Sequence, residues 1–174
     1  MNLESVVLRP VEESDLEVLS RFDAEPELAG SSWYGFRDAG RQRRRFHSDG
    51  WLGDEDGKLM VTADAEVAGF VAWASAGHGA GRYRSIGIAL LPGWRGQGIG
   101  TQAQRLLCQY LFAHTAVQRI EAGTQPENVA EQRALQKVGF TQEGVLRSAE
   151  FRDGAWRDVI VYGLLRSDRL ADQP

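Results

Sequence analysis

The chain has 174 residues, 43% of them hydrophobic and 25% charged, with one cysteine and a formal net charge of −4. This length suits one domain over residues 1–174. The acidic net charge disfavours a broad surface for binding nucleic acids or membranes. A single cysteine excludes a disulfide framework and a zinc cluster of cysteines. Because the sequence also lacks a signal-peptide pattern and any apolar run of about 20 residues, we expect a cytoplasmic protein with no membrane, nucleic-acid or metal partner.

The N-terminal part of the chain predicts a strand followed by two helices. Residues 6–10 are typical of a short strand, and Ser14 suits the N-cap of a helix whose apolar residues recur at helical spacing. Residues 26–35 are expected to form a loop. A basic helix is predicted over residues 37–51.

The remaining sequence alternates strand and helix patterns. Asp64-Ala65 and Asp153-Gly154 predict tight hairpin turns, and Gly139 is expected to end a helix. This order predicts an α/β (α+β) fold with a mixed, mostly antiparallel sheet and helices on both faces. The predicted strands are 57–63, 66–76, 85–91, 119–124, 141–151 and 156–165, and the predicted helices are 98–114 and 128–138.

Three glycines within five residues mark the junction between the strand over 85–91 and the helix that follows it. The junction is Arg95-Gly96-Gln97-Gly98-Ile99-Gly100. Glycines at this density are costly in backbone entropy, and they allow a ligand to approach the main chain closely. The first helical turn presents unpaired N–H groups and a partial positive charge, so the junction predicts a site for an anion such as a pyrophosphate.

Two nucleotide-binding motifs compete for this junction. A Walker loop needs a lysine after its last glycine, and Thr101 follows Gly100 here, which excludes that motif. A dinucleotide fingerprint is met formally by Gly98-x-Gly100-x-x-Ala103, with Glu121 at the position of the ribose-binding acid. It is disfavoured because residues 92–95 separate the strand from the first glycine.

The residues around the junction resemble the acyl-CoA-binding segment of the GNAT acyltransferase superfamily. The signature of that segment is Arg or Gln, two residues, Gly, one residue, then Gly or Ala, and Arg95, Gly98 and Gly100 meet it. Later segments resemble the RimJ/RimL-type N-acetyltransferase branch, and the resemblance covers essentially the whole chain. These segments are Thr124-x-x-x-Asn128, Gln136-Lys137-Val138-Gly139-Phe140 and Glu150-Phe151-Arg152-Asp153-Gly154-Ala155-Trp156-Arg157-Asp158.

The resemblance implies a GNAT fold, in which a V-shaped wedge splits the single sheet between the strands over 85–91 and 119–124. The first of these strands is expected to bend or bulge near residues 89–91, and the pantetheine arm of acetyl-CoA would lie in the wedge. Asn128 matches a family asparagine that touches pantetheine or substrate, although a helix N-cap explains it equally well. The implied donor-binding residues are Ala89, Leu90, Leu91, Arg95, Gly96, Gln97, Gly98, Ile99, Gly100, Thr101 and Asn128.

The implied activity is transfer of an acetyl group from acetyl-CoA, as co-substrate, to a primary amine by direct attack in a ternary complex. The acceptor could be a protein N-terminus, an amino acid, a polyamine or a small amino-metabolite. Alternatives are a non-catalytic acyl-CoA-binding sensor and transfer of another acyl group such as succinyl. A homodimer is implied by the resemblance alone.

The resemblance assigns the general base to Glu150, which stands directly before the family's aromatic-glycine motif; a structural or substrate-binding carboxylate is the alternative. The family's usual serine and tyrosine proton donors correspond here to Glu131 and Leu135. The donor is therefore Glu131, a water molecule or no protein group. A backbone N–H near Leu90 is expected to stabilise the oxyanion.

Acceptor recognition is expected from the N-terminal segment. Trp33 and Tyr34 are the substrate-binding candidates, with core packing as the alternative for both. An arginine run could meet a carboxylate or phosphate on the acceptor, or form a solvated helix face. Trp156 and Asp158 are expected to be a packing anchor and a buried charge partner. The arginine run consists of Arg41, Arg43, Arg44 and Arg45.

Overall fold

One seven-stranded sheet organises the computed structural model, which describes residues 6–30, 33–77 and 82–168. The strands lie in the order β1-β2-β3-β4-β5-β7-β6. They are β1 (Val7–Pro10), β2 (Asp56–Ala63), β3 (Glu66–Ala76), β4 (Tyr83–Leu90), β5 (Arg119–Thr124), β6 (Thr141–Arg152) and β7 (Ala155–Leu165). The helices are α1 (Leu16–Ala24), α2 (Pro26–Ala29), α3 (Arg41–Asp49), α4 (Ile99–His114) and α5 (Val129–Val138).

A wedge opens in the middle of the sheet. Every neighbouring pair of strands is antiparallel except β4 and β5, which are parallel. These two strands pair only over Arg84–Ile86 and Ile120–Ala122, and then they separate. All six residues of β5 pair with β7, so β5 follows β7 away from β4. The mixed sheet and the V-shaped wedge are confirmed.

The expected bulge near residues 89–91 is absent, because β4 stays in unbroken register with β3 as far as Leu90. The pairing even extends by one residue, since the N–H of Leu91 donates to the carbonyl oxygen of Ala68 at 2.9 Å. Gly69 permits this close approach, as an added Cβ would lie 2.1 Å from the carbonyl oxygen of Ala89. The sheet is instead irregular between Val61 and Thr62 on β2.

Two predicted helix starts were wrong. A short 3₁₀ turn over Glu13–Asp15 precedes α1, and the Asp15 carboxylate, rather than Ser14, caps it by accepting the N–H of Glu12 at 2.8 Å. Buried Asp15 also forms an ion pair with Arg9, which fixes β1 to this turn. The predicted basic helix begins only at Arg41 and ends at Gly50 in the left-handed conformation.

Apolar side chains pack on both faces of the sheet. Leu59 and Val61 belong to the main core cluster, which α4 and α5 cover, whereas Met60 between them belongs to a second cluster beneath α1. Cys108 is 0% exposed in the main cluster, and burial raises the pKa of its thiol to about 12, so it serves as a small apolar residue. Of the helices in the described residues, none has the length and apolar character to cross a membrane.

The C-terminal hairpin of β6 and β7 confirms one prediction and corrects two. Asp153 and Gly154 both have positive φ, which confirms the predicted tight turn. Trp156 is 64% exposed and contacts Phe151 edge-on, so it is no packing anchor. Asp158 is exposed as well, and its carboxylate accepts the N–H of Ser148 at 2.8 Å.

Replacing Gly69 by alanine should lower the free energy of unfolding by about 3 kcal/mol, because the new Cβ meets backbone atoms that cannot move aside without separating β3 from β4. The matched control is Gly87→Ala on β4, where nothing lies within 4 Å of the added Cβ. Urea unfolding followed by circular dichroism measures both variants. Equal stabilities would contradict the close approach of the two strands.

Candidate active site

A cavity of about 680 Å³ lies at the wedge. It is lined by the end of β4, the glycine junction, one face of α5, a segment that runs from the end of α1 to the start of α3, and Phe70 of β3. The candidate residues of the sequence analysis lie on the first four of these parts. The wedge therefore gathers segments that lie far apart along the chain.

The glycine junction opens the N-terminus of α4 onto this cavity. Gly96 and Gly98 have φ values of 75° and 84°, which favour glycine. In the described part of the chain no side chain caps α4, and the first N–H bonded within the helix is that of Gln102, to the carbonyl oxygen of Gly98 at 3.1 Å. The N–H groups of Ile99, Gly100 and Thr101 thus have no acceptor within the helix, and an anion in the cavity could take them.

The edge of β4 presents a second polar group to the wedge. The N–H of Leu91 and the carbonyl oxygen of Ala89 both face β3. Because successive residues of a strand point their backbone groups to opposite edges, the N–H and C=O of Leu90 face the wedge. Arg95 donates from Nε to this carbonyl at 2.9 Å and from Nη2 to the carbonyl of Leu28 at 2.6 Å. The Leu90 N–H remains available to a ligand.

Three of the predicted donor-binding residues do not line the cavity. Leu91 uses its N–H for β3, and Gln97 donates from Nε2 to the carbonyl oxygen of Gly93 at 2.6 Å. Ile99 is 1% exposed, with its side chain in the main core cluster. These residues support the glycine junction from the side away from the cavity. Those that do line the cavity are Ala89, Leu90, Arg95, Gly96, Gly98, Gly100, Thr101 and Asn128.

Asn128 and Glu131 lie at the start of α5 and are joined by a hydrogen bond. Asn128 is the N-cap, since its side-chain oxygen accepts the N–H of Glu131 at 3.2 Å, and it also lines the cavity. Burial raises the pKa of Glu131 from 4.5 to about 7, although a hydrogen bond from Gln104 at 3.3 Å favours the charged form. Glu131 can therefore exchange a proton near neutral pH.

An irregular stretch of β6 positions Glu150. Leu146 pairs with Val159 and Glu150 with Arg157, so β6 advances four residues while β7 advances two. Ser148, between them, has a φ of 48°. Val159 and Arg157 are two residues apart on β7 and therefore share a face of the sheet. Their partners Leu146 and Glu150 share that face too, as strand alternation predicts.

Glu150 contacts the N-terminal segment across the wedge. Its carboxylate accepts a hydrogen bond from Gln125 Nε2 at 3.3 Å. Partial burial, a hydrogen bond with Glu150 and the charge of that carboxylate raise the pKa of Tyr34 to about 12. Tyr34 and Trp33 line the cavity, whereas Glu150 does not line it and is linked to it by its hydrogen bond with Tyr34. Both substrate-binding candidates thus reach the site, and the base candidate contacts one of them.

The strand directions in the sheet exclude the dinucleotide-binding alternative. A doubly wound fold needs a largely parallel sheet, and the only parallel pair among the described strands is β4 with β5. Glu121 forms an ion pair with Arg119 at 2.8 Å on β5. Within residues 6–30, 33–77 and 82–168, no group of His, Cys, Asp and Glu side chains is arranged to hold a metal ion.

The sequence profile of the "Acetyltransferase (GNAT) domain" matches residues 5–141, most of the chain. The chain belongs to the GNAT acetyltransferase family. The "Probable N-acetyltransferase YjcK" of Bacillus subtilis is 34% identical over 110 residues, and the aligned region is 63% of this chain and 61% of that relative, less than two thirds of its length. The "Spermidine N(1)-acetyltransferase" of Escherichia coli is 24% identical over 168 residues, which cover 97% of this chain and 90% of that protein.

Solved structures agree with the GNAT assignment. Mycobacterium smegmatis RimJ, in complex with CoA-disulfide, superimposes with a TM-score of 0.75 at 26% identity, covering 92% of this chain and 82% of that one. The Vibrio cholerae spermidine N-acetyltransferase, in complex with CoA and spermine, gives a TM-score of 0.83 at 17% identity and covers 94% and 97% of the two chains. At this lower identity the likeness concerns the fold.

The GNAT cavity also contains two cations that the sequence analysis missed. Arg133 and Lys137 line it from α5, and neither side chain has an ion-pair partner among the described residues. The signal was present in the sequence, because Ala130, Arg133, Ala134 and Lys137 recur at the spacing of one helix face. Only the structure shows that this face meets the glycine junction.

The arginine run divides into two groups in this GNAT domain. Arg41 lines the cavity, 3.6 Å from Asp23. The other three arginines do not line it and form ion pairs. Arg43 and Arg44 are exposed, as a solvated helix face predicts, whereas Arg45 is half-buried over the Trp51 ring. Their partners are Glu13 for Arg43, Asp38 for Arg44, and both Asp49 and Asp56 for Arg45.

The raised pKa of Glu131 predicts a stability that depends on pH. The folded protein holds this proton between about pH 4.5 and 7, where the unfolded chain has lost it, so stability falls as the pH rises through that range. Glu131→Gln should therefore raise the free energy of unfolding at pH 8 by on the order of 3 kcal/mol, with little change at pH 4. Thermal unfolding at the two pH values, beside the exposed control Glu127→Gln, measures this. Equal gains at both would contradict the shift.

Proposed function

We propose that this GNAT domain transfers the acetyl group of acetyl-CoA to a primary amine by direct attack in a ternary complex. The observation that carries the proposal is the uncapped N-terminus of α4, which opens beside the wedge-facing N–H of Leu90. We also propose that one domain over residues 1–174 performs the reaction in the cytoplasm, where a chain with a single buried cysteine is typical.

The donor half of the site fits the shape and charge of CoA. Free amides at the start of α4 suit the pyrophosphate, and Gly100 leaves room for it, since an added Cβ would meet only Leu90 and Ile88 at 3.5 and 3.7 Å. Arg133 and Lys137 bring positive charge to the same region. The pantetheine amides would pair with the exposed edge of β4, as an added strand does.

Two carboxyl groups are assigned to the proton transfers. An alkyl ammonium has a pKa near 10, so it must lose a proton before its nitrogen attacks the thioester carbonyl, and Glu150 accepts that proton directly or through water. The new C–N bond places negative charge on the carbonyl oxygen, to which the Leu90 N–H donates, and positive charge on the nitrogen, which releases its extra proton to water. When the C–S bond breaks, Glu131 protonates the departing thiolate.

The pKa of Glu131 suits this second transfer. A thiol ordinarily has a pKa of about 8.5, so a carboxyl group with a pKa near 7 gives its proton to a thiolate in a favourable direction. At neutral pH a large share of Glu131 is protonated and able to donate. Glu131 thus replaces the serine and tyrosine donors that the sequence lacks at the family positions.

Blocking the space beside the free amides tests donor binding. Gly100→Val should weaken acetyl-CoA binding at least tenfold, because its side chain occupies the place of the phosphates, while helix propensity is not reduced. Gly93→Val is the matched control, since Gly93 lies in open space outside the cavity. Isothermal titration calorimetry gives both affinities. Undiminished affinity in Gly100→Val would refute the phosphate cradle.

Neutralising the two carboxyl groups tests the chemistry. Glu150→Gln should lower kcat about 100-fold with unchanged acetyl-CoA affinity, because the amine loses its proton acceptor. In the wild type, kcat should decline as the pH rises through about 7 and Glu131 ionises, and Glu131→Gln should lack this decline. CoA release in the presence of an amine panel is the measurement, with Glu127→Gln as the control.

Three results would count against these assignments. A wild-type rate in Glu150→Gln would remove the base assignment. A rise of kcat through pH 7 that Glu131→Gln abolishes would make Glu131 the base instead of the acid. Binding of acetyl-CoA without turnover of any amine would favour the non-catalytic sensor.

A further inference from the structure

The N-terminal wall of the cavity carries a net positive charge. Asp23, Arg37 and Arg41 line this wall, so two cations stand against one anion. Behind them lies the buried Lys58, whose ammonium group is 4.2 Å from the ring centroids of both Trp51 and Phe70. The charge pattern attracts an anionic group on a ligand.

Asp23 holds both arginines at the wall but does not neutralise them. Its backbone carbonyl accepts the N–H of Arg37 at 3.3 Å, which fixes the position of that residue. Its carboxylate accepts a hydrogen bond from Gln42 at 2.5 Å and lies 3.6 Å from the guanidinium of Arg41. Among the described residues, the Arg37 side chain has no ion-pair partner, and the Arg41 side chain is 47% exposed.

Negative charge lies elsewhere near the same site. The Glu150 carboxylate accepts a hydrogen bond from Tyr34, which lines the cavity. An amine that is drawn to this carboxylate at one end can place an oxyanion against the two guanidinium groups at the other. A polyamine would instead bring a second ammonium group against them, which is unfavourable.

We infer that the acceptor is a primary amine whose other end carries a carboxylate or phosphate group, bound by Arg37 and Arg41. This inference rests on the proposed acetyl transfer and narrows its acceptor. A guanidinium group presents a planar fork of donors that matches two oxygens of a carboxylate or phosphate.

Matched pairs of acceptors test the inference. The first acceptors are ω-amino carboxylic acids from glycine to 6-aminohexanoic acid, each compared with its carboxamide. Phosphoethanolamine is compared with ethanolamine, and an amidated tripeptide with Glu at its second position is compared with its Gln counterpart. Spermidine completes the panel. The measurement is kcat/KM from CoA release at saturating acetyl-CoA and fixed ionic strength. At least one anionic acceptor should exceed its neutral partner about tenfold and also exceed spermidine, and the arm in which this happens distinguishes carboxylate from phosphate.

Three variants assign the preference to the wall. Arg37→Gln and Arg41→Gln should each raise the KM of the preferred anionic acceptor about tenfold and leave the KM of acetyl-CoA unchanged. Arg43→Gln, on the same helix but paired with Glu13 away from the cavity, should leave both unchanged. Arg37 forms no ion pair within the described residues, so its variant keeps the test valid even if Arg41→Gln, which loses contacts with Asp23 and Trp51, is unstable.

The possible failures are distinct. Equal or better use of neutral amines or spermidine overturns the anionic acceptor and leaves acetyl transfer intact. A raised KM for acetyl-CoA in the arginine variants assigns the wall to the donor and overturns the inference. If the protein binds acetyl-CoA and acetylates no amine, the proposed function fails, and the inference fails with it.

Discussion

The parting of β4 from β5 is the constraint on which the rest of the site depends. Each strand has a partner on its outer side, β3 for β4 and β7 for β5, and the two pair with each other over only three residues. Backbone groups beyond that point would ordinarily complete a ladder. Here they border a cavity, so a ligand can take the place of the missing strand contacts.

Around this gap, charged groups of both signs line the cavity, and one of them is held at a cost in stability. Burial disfavours the ionised form of Glu131 and raises its pKa to about 7, in the range that the proposed proton transfer requires. Tyr34, which lines the cavity, joins the N-terminal segment to Glu150 on β6. Two parts of the candidate site that lie far apart in the sequence therefore contact each other.

Features fixed by neighbouring residues could be predicted from the sequence. The bounds of β5, the stop at Gly139 and the Asp153-Gly154 turn follow from local chemistry and are confirmed. Features set by distant partners could not be predicted. The regular register of β4 depends on Gly69, and the exposure of Trp156 depends on what lies over the hairpin. For the candidate site, the glycine junction was recognisable from neighbouring residues and its anion stays a prediction, while the cations of α5 and the contact between Tyr34 and Glu150 required the folded chain.

Alternation along β2 has a consequence for how this enzyme can diversify. The main cluster behind Leu59 and Val61 supports α4 and α5, whereas the smaller cluster around Met60 supports α1, whose end lines the N-terminal wall of the cavity. Substitutions in the smaller cluster can therefore change the shape of that wall while the packing beneath the glycine junction is kept.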